Sequence, residues 1–182
     1  MTVDAPDFVQ PRTGWRVWEV VEVDGELRLS SLVYRTIWHP RGAAVARCRR
    51  PLAALPWGRL PLHGPPSFDC LCGIYAVDTP GQALPYLTYG RDGEGRPARR
   101  VIGLVSLWGR IVEGEHGCRS AYAYPALIAI PPAGRSHGPW RSRSAWFPSA
   151  EIVERLTDYA VPVELLAEVD EAHLVSLGSV TS

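Results

Sequence analysis

The sequence predicts an α+β domain: a bent, mostly antiparallel sheet or small open β-barrel, a cysteine-bearing loop clipped by metal, and a C-terminal helix. Three observations carry that expectation. β-branched and aromatic residues flank the pair Asp24-Gly25 on both sides; a long apolar run over residues 101–115 is followed by alternating small and aromatic residues over 118–124; and convincing helical spacing begins only after Pro148. Strands fill the front and middle of the chain and the helix is segregated to its end, as α+β folds require.

Residues 1–13 hold two prolines, two aspartates and little periodicity, which predicts a loose arm ahead of one domain over 14–182. From Trp15 a strand runs to Asp24-Gly25 and a second returns toward Tyr34, a hairpin whose tight primed turn needs residues tolerant of positive φ. The segment 34–38 extends or follows the second strand, and Pro40-Arg41-Gly42 turns the chain. Residues 43–50, readable as helix or strand, deliver Cys48. Five prolines and two glycines over 51–66 exclude a helix or a central strand there. Residues 72–77 read as a strand leaving the cysteine loop. Thr79-Pro80 then opens a short helical turn, with Thr79 as cap and Pro80 at the first position. Residues 91–97 form a polar loop. Gly103 and Gly109 predict a bend or bulge in the apolar strand over 101–115, His116-Gly117 turns it, and residues 127–130 add a short strand. After Pro148, Ser149 is the expected cap of a helix whose Ile152, Val153, Leu156 and Tyr159 or Ala160 share one face.

Composition narrows the function classes. Seven Trp, seven Tyr and 46% hydrophobic residues suffice for a packed core, which argues against a disordered adaptor. The formal charge is zero, so no whole-molecule field draws the chain to an anionic membrane, and neutrality weighs against nucleic acid as partner. All nineteen basic residues are Arg, a pattern of GC-rich coding more than of function. The polar, acidic start lacks signal-peptide character and no apolar run is long enough to span a bilayer, so the expected location is cytoplasmic.

In a reducing compartment, closely spaced cysteines point to metal or redox chemistry before disulfides. Cys48, His63, Cys70 and Cys72 supply three sulfurs and an imidazole, the ligand set of a tetrahedral zinc site. Such a staple can hold a proline-rich loop that has few backbone hydrogen bonds of its own. Cys-x-Cys spacing also occurs in iron–sulfur and copper sites, and buried small cysteines without any metal have the same appearance in sequence. Zinc, an iron–sulfur cluster and no cofactor therefore stay open. Cys118, near His116, is a spare ligand, and Asp69 beside Cys70 raises a reactive thiol with His63 as base.

Two further groups are candidates for ligand binding. Arg110, Glu113, Glu115, His116 and Arg119 crowd a predicted turn, able to do acid–base work or hold an anion, or simply to form a solvated ion-pair cluster. Trp108, Tyr122 and Tyr124 fall on one side of paired strands, as an aromatic platform or as core. Arg135, His137, Trp140, Arg141 and Arg143 make a short basic patch that could meet phosphates.

Two blocks, Cys70-x-Cys72-Gly73-Ile74-Tyr75-Ala76 and Gly103-Leu-Val-Ser-Leu-Trp108-Gly109-Arg110-Ile-Val-Glu113, the second running on to Gly117-x-Arg119 and Ala123-Tyr124-Pro125, occur with Gly14-Trp15-Arg16-Val17-Trp18 and Cys48. Together they resemble an uncharacterised actinobacterial hypothetical-protein family over most of residues 14–128. The resemblance implies no activity. An aromatic often stands in that pattern where this chain has Cys118, which counts against Cys118 as a ligand. The leading expectation is a non-enzymatic cytoplasmic binding or adaptor module with structural zinc, taking a protein or small-molecule partner. The alternatives are an enzyme, either a thiol-dependent hydrolase or an iron–sulfur redox protein using the same loop, and a nucleic-acid-binding domain.

Overall fold

The computed structural model describes residues 11–48, 63–88, 99–132 and 148–180. The expected arm lies outside the described residues up to position 10, and the first strand already includes Arg12 and Thr13. Residues 91–97 and the basic patch over 135–143 also lie outside the described residues, as does 51–62 of the proline-rich segment.

Strands β1 (Arg12–Val23) and β2 (Glu26–Ser31) form the predicted hairpin. Asp24 and Gly25 both have positive φ, 52° and 82°, the conformation a primed two-residue turn demands. β3 (Ile37–Trp38) pairs with β2, and β4 (Ala44–Val45) with β7 (Gly117–Pro125). β5 (Ile74–Val77) lies between β1 and β7, and β6 (Arg99–Gly114) pairs with β1, β7 and β8 (Ile128–Ile130). β9 (Val163–Leu165) closes the order, parallel to β8; every other pairing is antiparallel. β1, β5, β7 and β6 thus form a ring of four strands, closed between β1 and β5 by the pair Trp15–Val77.

Alternation along β1 sends Trp15 and Val17 to one core and Trp18 and Val20 to another, because successive side chains leave opposite faces of a strand. The first core holds Trp18 edge-on to Trp38, with centroids 5.4 Å apart, under helix α3 (Ser149–Leu156) and the following turn. There the Tyr159 hydroxyl donates to the Trp38 carbonyl and accepts from the Leu29 N–H. Burial pushes its pKa up to about 12. The second core packs Trp15, Ile102 and Leu104 under α1 (Pro80–Ala83) and α4 (Glu171–Val180), with α2 (Pro85–Thr88) beside them.

Local chemistry explains the short elements. Thr79 caps α1 as expected, and Gln82 completes a capping box by bonding back to the Thr79 N–H. Ser149 is not a cap: Pro148 occupies that position, and the Ser149 hydroxyl accepts from the Arg99 guanidinium. Gly103 stays in register opposite Arg16 without a bulge. The bulge falls at Gly109, between the pairs Trp108–Tyr122 and Ile111–Ser120. Gly109 has φ 73°, and a Cβ there would come within 2.7 Å of the Tyr122 ring. That bulge interrupts the pairing at Arg110, whose guanidinium reaches the cysteine loop.

Candidate metal centre

β4 and β5 share one edge of β7 while β6 holds the other. β4 leaves that edge where the Ala46 N–H bonds the Ala121 carbonyl, and β5 takes it over at the pair Ile74–Ser120. Cys48 follows the departing strand and Cys70 and Cys72 precede the arriving one. The sheet edge therefore brings the distant cysteine to the close pair.

The four predicted ligands converge. The Cys48 and Cys70 sulfurs stand 3.7 Å apart, and the Cys72 sulfur lies 3.4 Å from His63 Nε2. One donor atom from each of the four falls within 4.8 Å of the others. Cys72 is buried and the other three are half-buried, and all four cysteines of the chain are free thiols. This donor set can hold a metal ion.

Residues 63–73 contain no helix or strand, and the sheet supplies most of the hydrogen bonds found for their carbonyls. The Arg119 guanidinium donates to the Cys70 and Cys72 carbonyls and, at 3.4 Å, to that of Ser67. Arg110 donates to the Gly64 carbonyl and the Tyr75 hydroxyl to that of Leu71. Arg16 reaches the Tyr75 carbonyl and the Ser31 hydroxyl, with its guanidinium over the Trp38 ring. Burial draws the Arg16 pKa down to about 10, which leaves it charged at neutral pH.

Burial pushes the Cys72 thiol up to about 11, and the neighbouring thiols add to that shift. A thiol so held is neutral near pH 7 and a poor nucleophile. For Cys72, the thiol against His63 Nε2, this counts against a nucleophilic role, whereas a bound cation would favour the thiolate. Cys70, the thiol beside Asp69, stands against Cys48 instead.

Cys118 is not part of the cluster. It is buried in the core opposite Ala76 and Glu113, since its position on β7 turns it inward. Burial raises its thiol from the usual 9.0 to about 11. The folded state thus holds that proton more tightly than the unfolded chain does. Its contribution to stability is complete below about pH 9 and is lost as pH rises through about 11. Metal-loaded wild-type protein should accordingly lose urea resistance across that window more steeply than Cys118→Ala. Parallel curves for the two proteins would rule out this origin.

The group expected at the β6–β7 turn is divided. Arg110 and Arg119 serve the ligand loop, Glu113 joins Asp78 around Arg12, and Glu115 and His116 remain exposed, 3.7 Å apart. Nor do the three aromatics make a common platform. Trp108 and Tyr122 stack on each other with centroids 6.1 Å apart, while Tyr124 packs toward Tyr159 and bonds the Arg41 N–H and the Tyr159 carbonyl. Two contributors were not singled out from sequence. Arg16 carries a weak signal, a charged residue between Trp15 and Val17 in a strand run that also holds Glu19 and Glu22; Tyr75 carries none beyond its nearness to Cys72.

Fold and site together define a strand-rich α+β domain with a four-ligand Cys/His cluster able to hold a metal ion. Compared with known proteins, the chain matches no family model, no curated protein and no solved structure. Among the described residues, no helix is long and apolar enough to cross a membrane.

Proposed function

We propose that the protein is a non-enzymatic binding module whose ligand loop is stapled by one structural zinc ion. The observation that carries this is the spacing of the donors. Zinc bonds of about 2.3 Å to sulfur and about 2.0–2.1 Å to nitrogen, arranged tetrahedrally, put two sulfurs about 3.8 Å apart and a sulfur and a nitrogen about 3.6 Å apart. The Cys48–Cys70 separation of 3.7 Å and the Cys72–His63 separation of 3.4 Å match those edges, and the other donor separations are at most 4.8 Å. An iron–sulfur cluster distributes its thiolates over separate irons and so needs a wider spread. Four protein ligands fill a tetrahedral shell, which supports a structural role over a catalytic one. Bound there, zinc supplies cross-linking and no reaction step. Free thiols in such a site suit a reducing, cytoplasmic setting.

Elemental analysis of the purified, reduced full chain tests the proposal. About one zinc per chain, absent from Cys70→Ser/Cys72→Ser, is the expected result. Iron with visible absorbance would replace zinc with a redox centre. A protein that neither contains nor takes up metal would defeat the staple.

A further inference from the structure

Charge and exposed aromatic surface are concentrated around the metal loop. Segments 31–48 and 63–76 carry Arg35, Arg41 and Arg47 against a single carboxylate, Asp69. Arg16, Arg110 and Arg119 enter the same region from β1, β6 and β7 through the contacts described above. Those three donate to carbonyl or hydroxyl oxygens, so the hydrogen bonds orient their charge without neutralising it. The other fourteen acidic side chains among the described residues lie on other segments; of those nearby, Asp78 and Glu113 are met by Arg12 and Glu19 on β1 by Arg100. A zinc ion with three thiolates adds only one negative charge. The segments that carry the ligands therefore hold more basic than acidic side chains although the whole chain is neutral.

Large apolar side chains occur on the same segments. Phe68, two residues before Cys70, and Leu71, between Cys70 and Cys72, are 69% and 80% exposed, and Tyr34 and Tyr75 are about half exposed. Arg119 sits over the Tyr75 ring at 5.7 Å. Exposed apolar side chains gathered on one short loop, as opposed to scattered singly, are the kind of surface that marks an interaction site. Arginines among exposed rings match a polyanion that also offers flat apolar faces.

We infer that the face formed by the metal loop binds single-stranded nucleic acid, with Phe68 and Tyr75 stacking on bases and Arg35, Arg47 and Arg119 facing phosphates. This rests on the loop being a closed metal staple, which leaves its outer surface free for recognition. Paired bases hide their faces inside a duplex, so projecting rings favour an unpaired strand.

Fluorescence anisotropy with labelled mixed-sequence DNA and RNA oligonucleotides of about 12 nucleotides tests the inference, since one module covers roughly 4–16 nucleotides. Binding to either strand should weaken as salt rises. Arg35→Gln/Arg47→Gln should weaken it and reduce the salt slope by about one to two. Phe68→Ala should weaken binding about tenfold with the slope unchanged. Zinc content and melting temperature are measured on each variant. Failure to bind at low salt by zinc-loaded, folded protein would overturn the inference and leave the staple intact. So would equal affinity for polyglutamate or duplex, or a Phe68→Ala variant that binds like wild type, because charge alone would then explain the contact. A metal-free protein would overturn the staple and the inference that rests on it together, which separates that failure from loss of binding by zinc-loaded protein.

Discussion

Replacing Cys70 and Cys72 together by serine is expected to lower the thermal midpoint by about 10 °C and to leave the sheet folded. The metal closes a loop of about 25 residues between Cys48 and Cys72, and cross-linking a loop of that length is worth about 3–4 kcal/mol through the unfolded state. A domain of this size loses roughly 2–4 °C per kcal/mol. Neither hydrophobic cluster contains any of the four ligands, so both cores keep their packing without the ion. Far-ultraviolet circular dichroism should therefore hold its strand signal while protease cleavage between His63 and Gly73 accelerates. Stripping the ion from wild type with a strong chelator should reproduce both effects, and re-adding zinc should reverse them only there. A midpoint unmoved by either treatment would mean that the loop is held by its arginine contacts alone. Global unfolding would mean instead that the ligands support the sheet.

The elements legible in the sequence are those whose causes are local. Asp24-Gly25 encodes its turn, Thr79-Pro80 its cap, and the apolar spacing of Ile152, Leu156 and Tyr159 the covering helix, because each depends on residues within a turn or two. The ligand set was also legible, since three soft sulfurs and an imidazole share one chemistry wherever the chain places them. The surroundings of the site were not. Arg110 and Arg119 are close in sequence to Glu113 and His116 and suggested one cluster, but the bulge at Gly109 and the position of Arg119 opposite Tyr75 send both toward the loop. Which face a strand residue takes depends on register, and register is set by pairings far away in sequence. The same reasoning explains Cys118: its nearness to His116 suggested a ligand, whereas strand alternation buries it. Net charge concealed the segregation of Arg35, Arg41 and Arg47 from most acids, because a sum carries no spatial information.

Arg119→Leu is expected to weaken metal binding by about 10–100-fold, the usual consequence of losing a partner that orients the ligands. One guanidinium bonds the carbonyls of Cys70, Cys72 and Ser67, so it fixes the backbone on both sides of Leu71. Without it, the two thiolates must be ordered when the ion arrives. The same change removes a positive charge beside a centre whose three thiolates outweigh the ion's two charges, and that effect adds to the first. Arg119→Lys separates the two. A lysine restores the charge but lacks the planar fork that spans neighbouring carbonyls, so it should recover only a minor part of the affinity. Competition against a chromophoric chelator gives the affinities, and the melting curves of metal-free protein show whether the substitution acts on the loop or on the fold. A metal-free midpoint close to wild type with weakened zinc binding places the effect in the loop. Full recovery by lysine would assign it to charge, and unchanged affinity in Arg119→Leu would show that the ligands hold their geometry without help from β7.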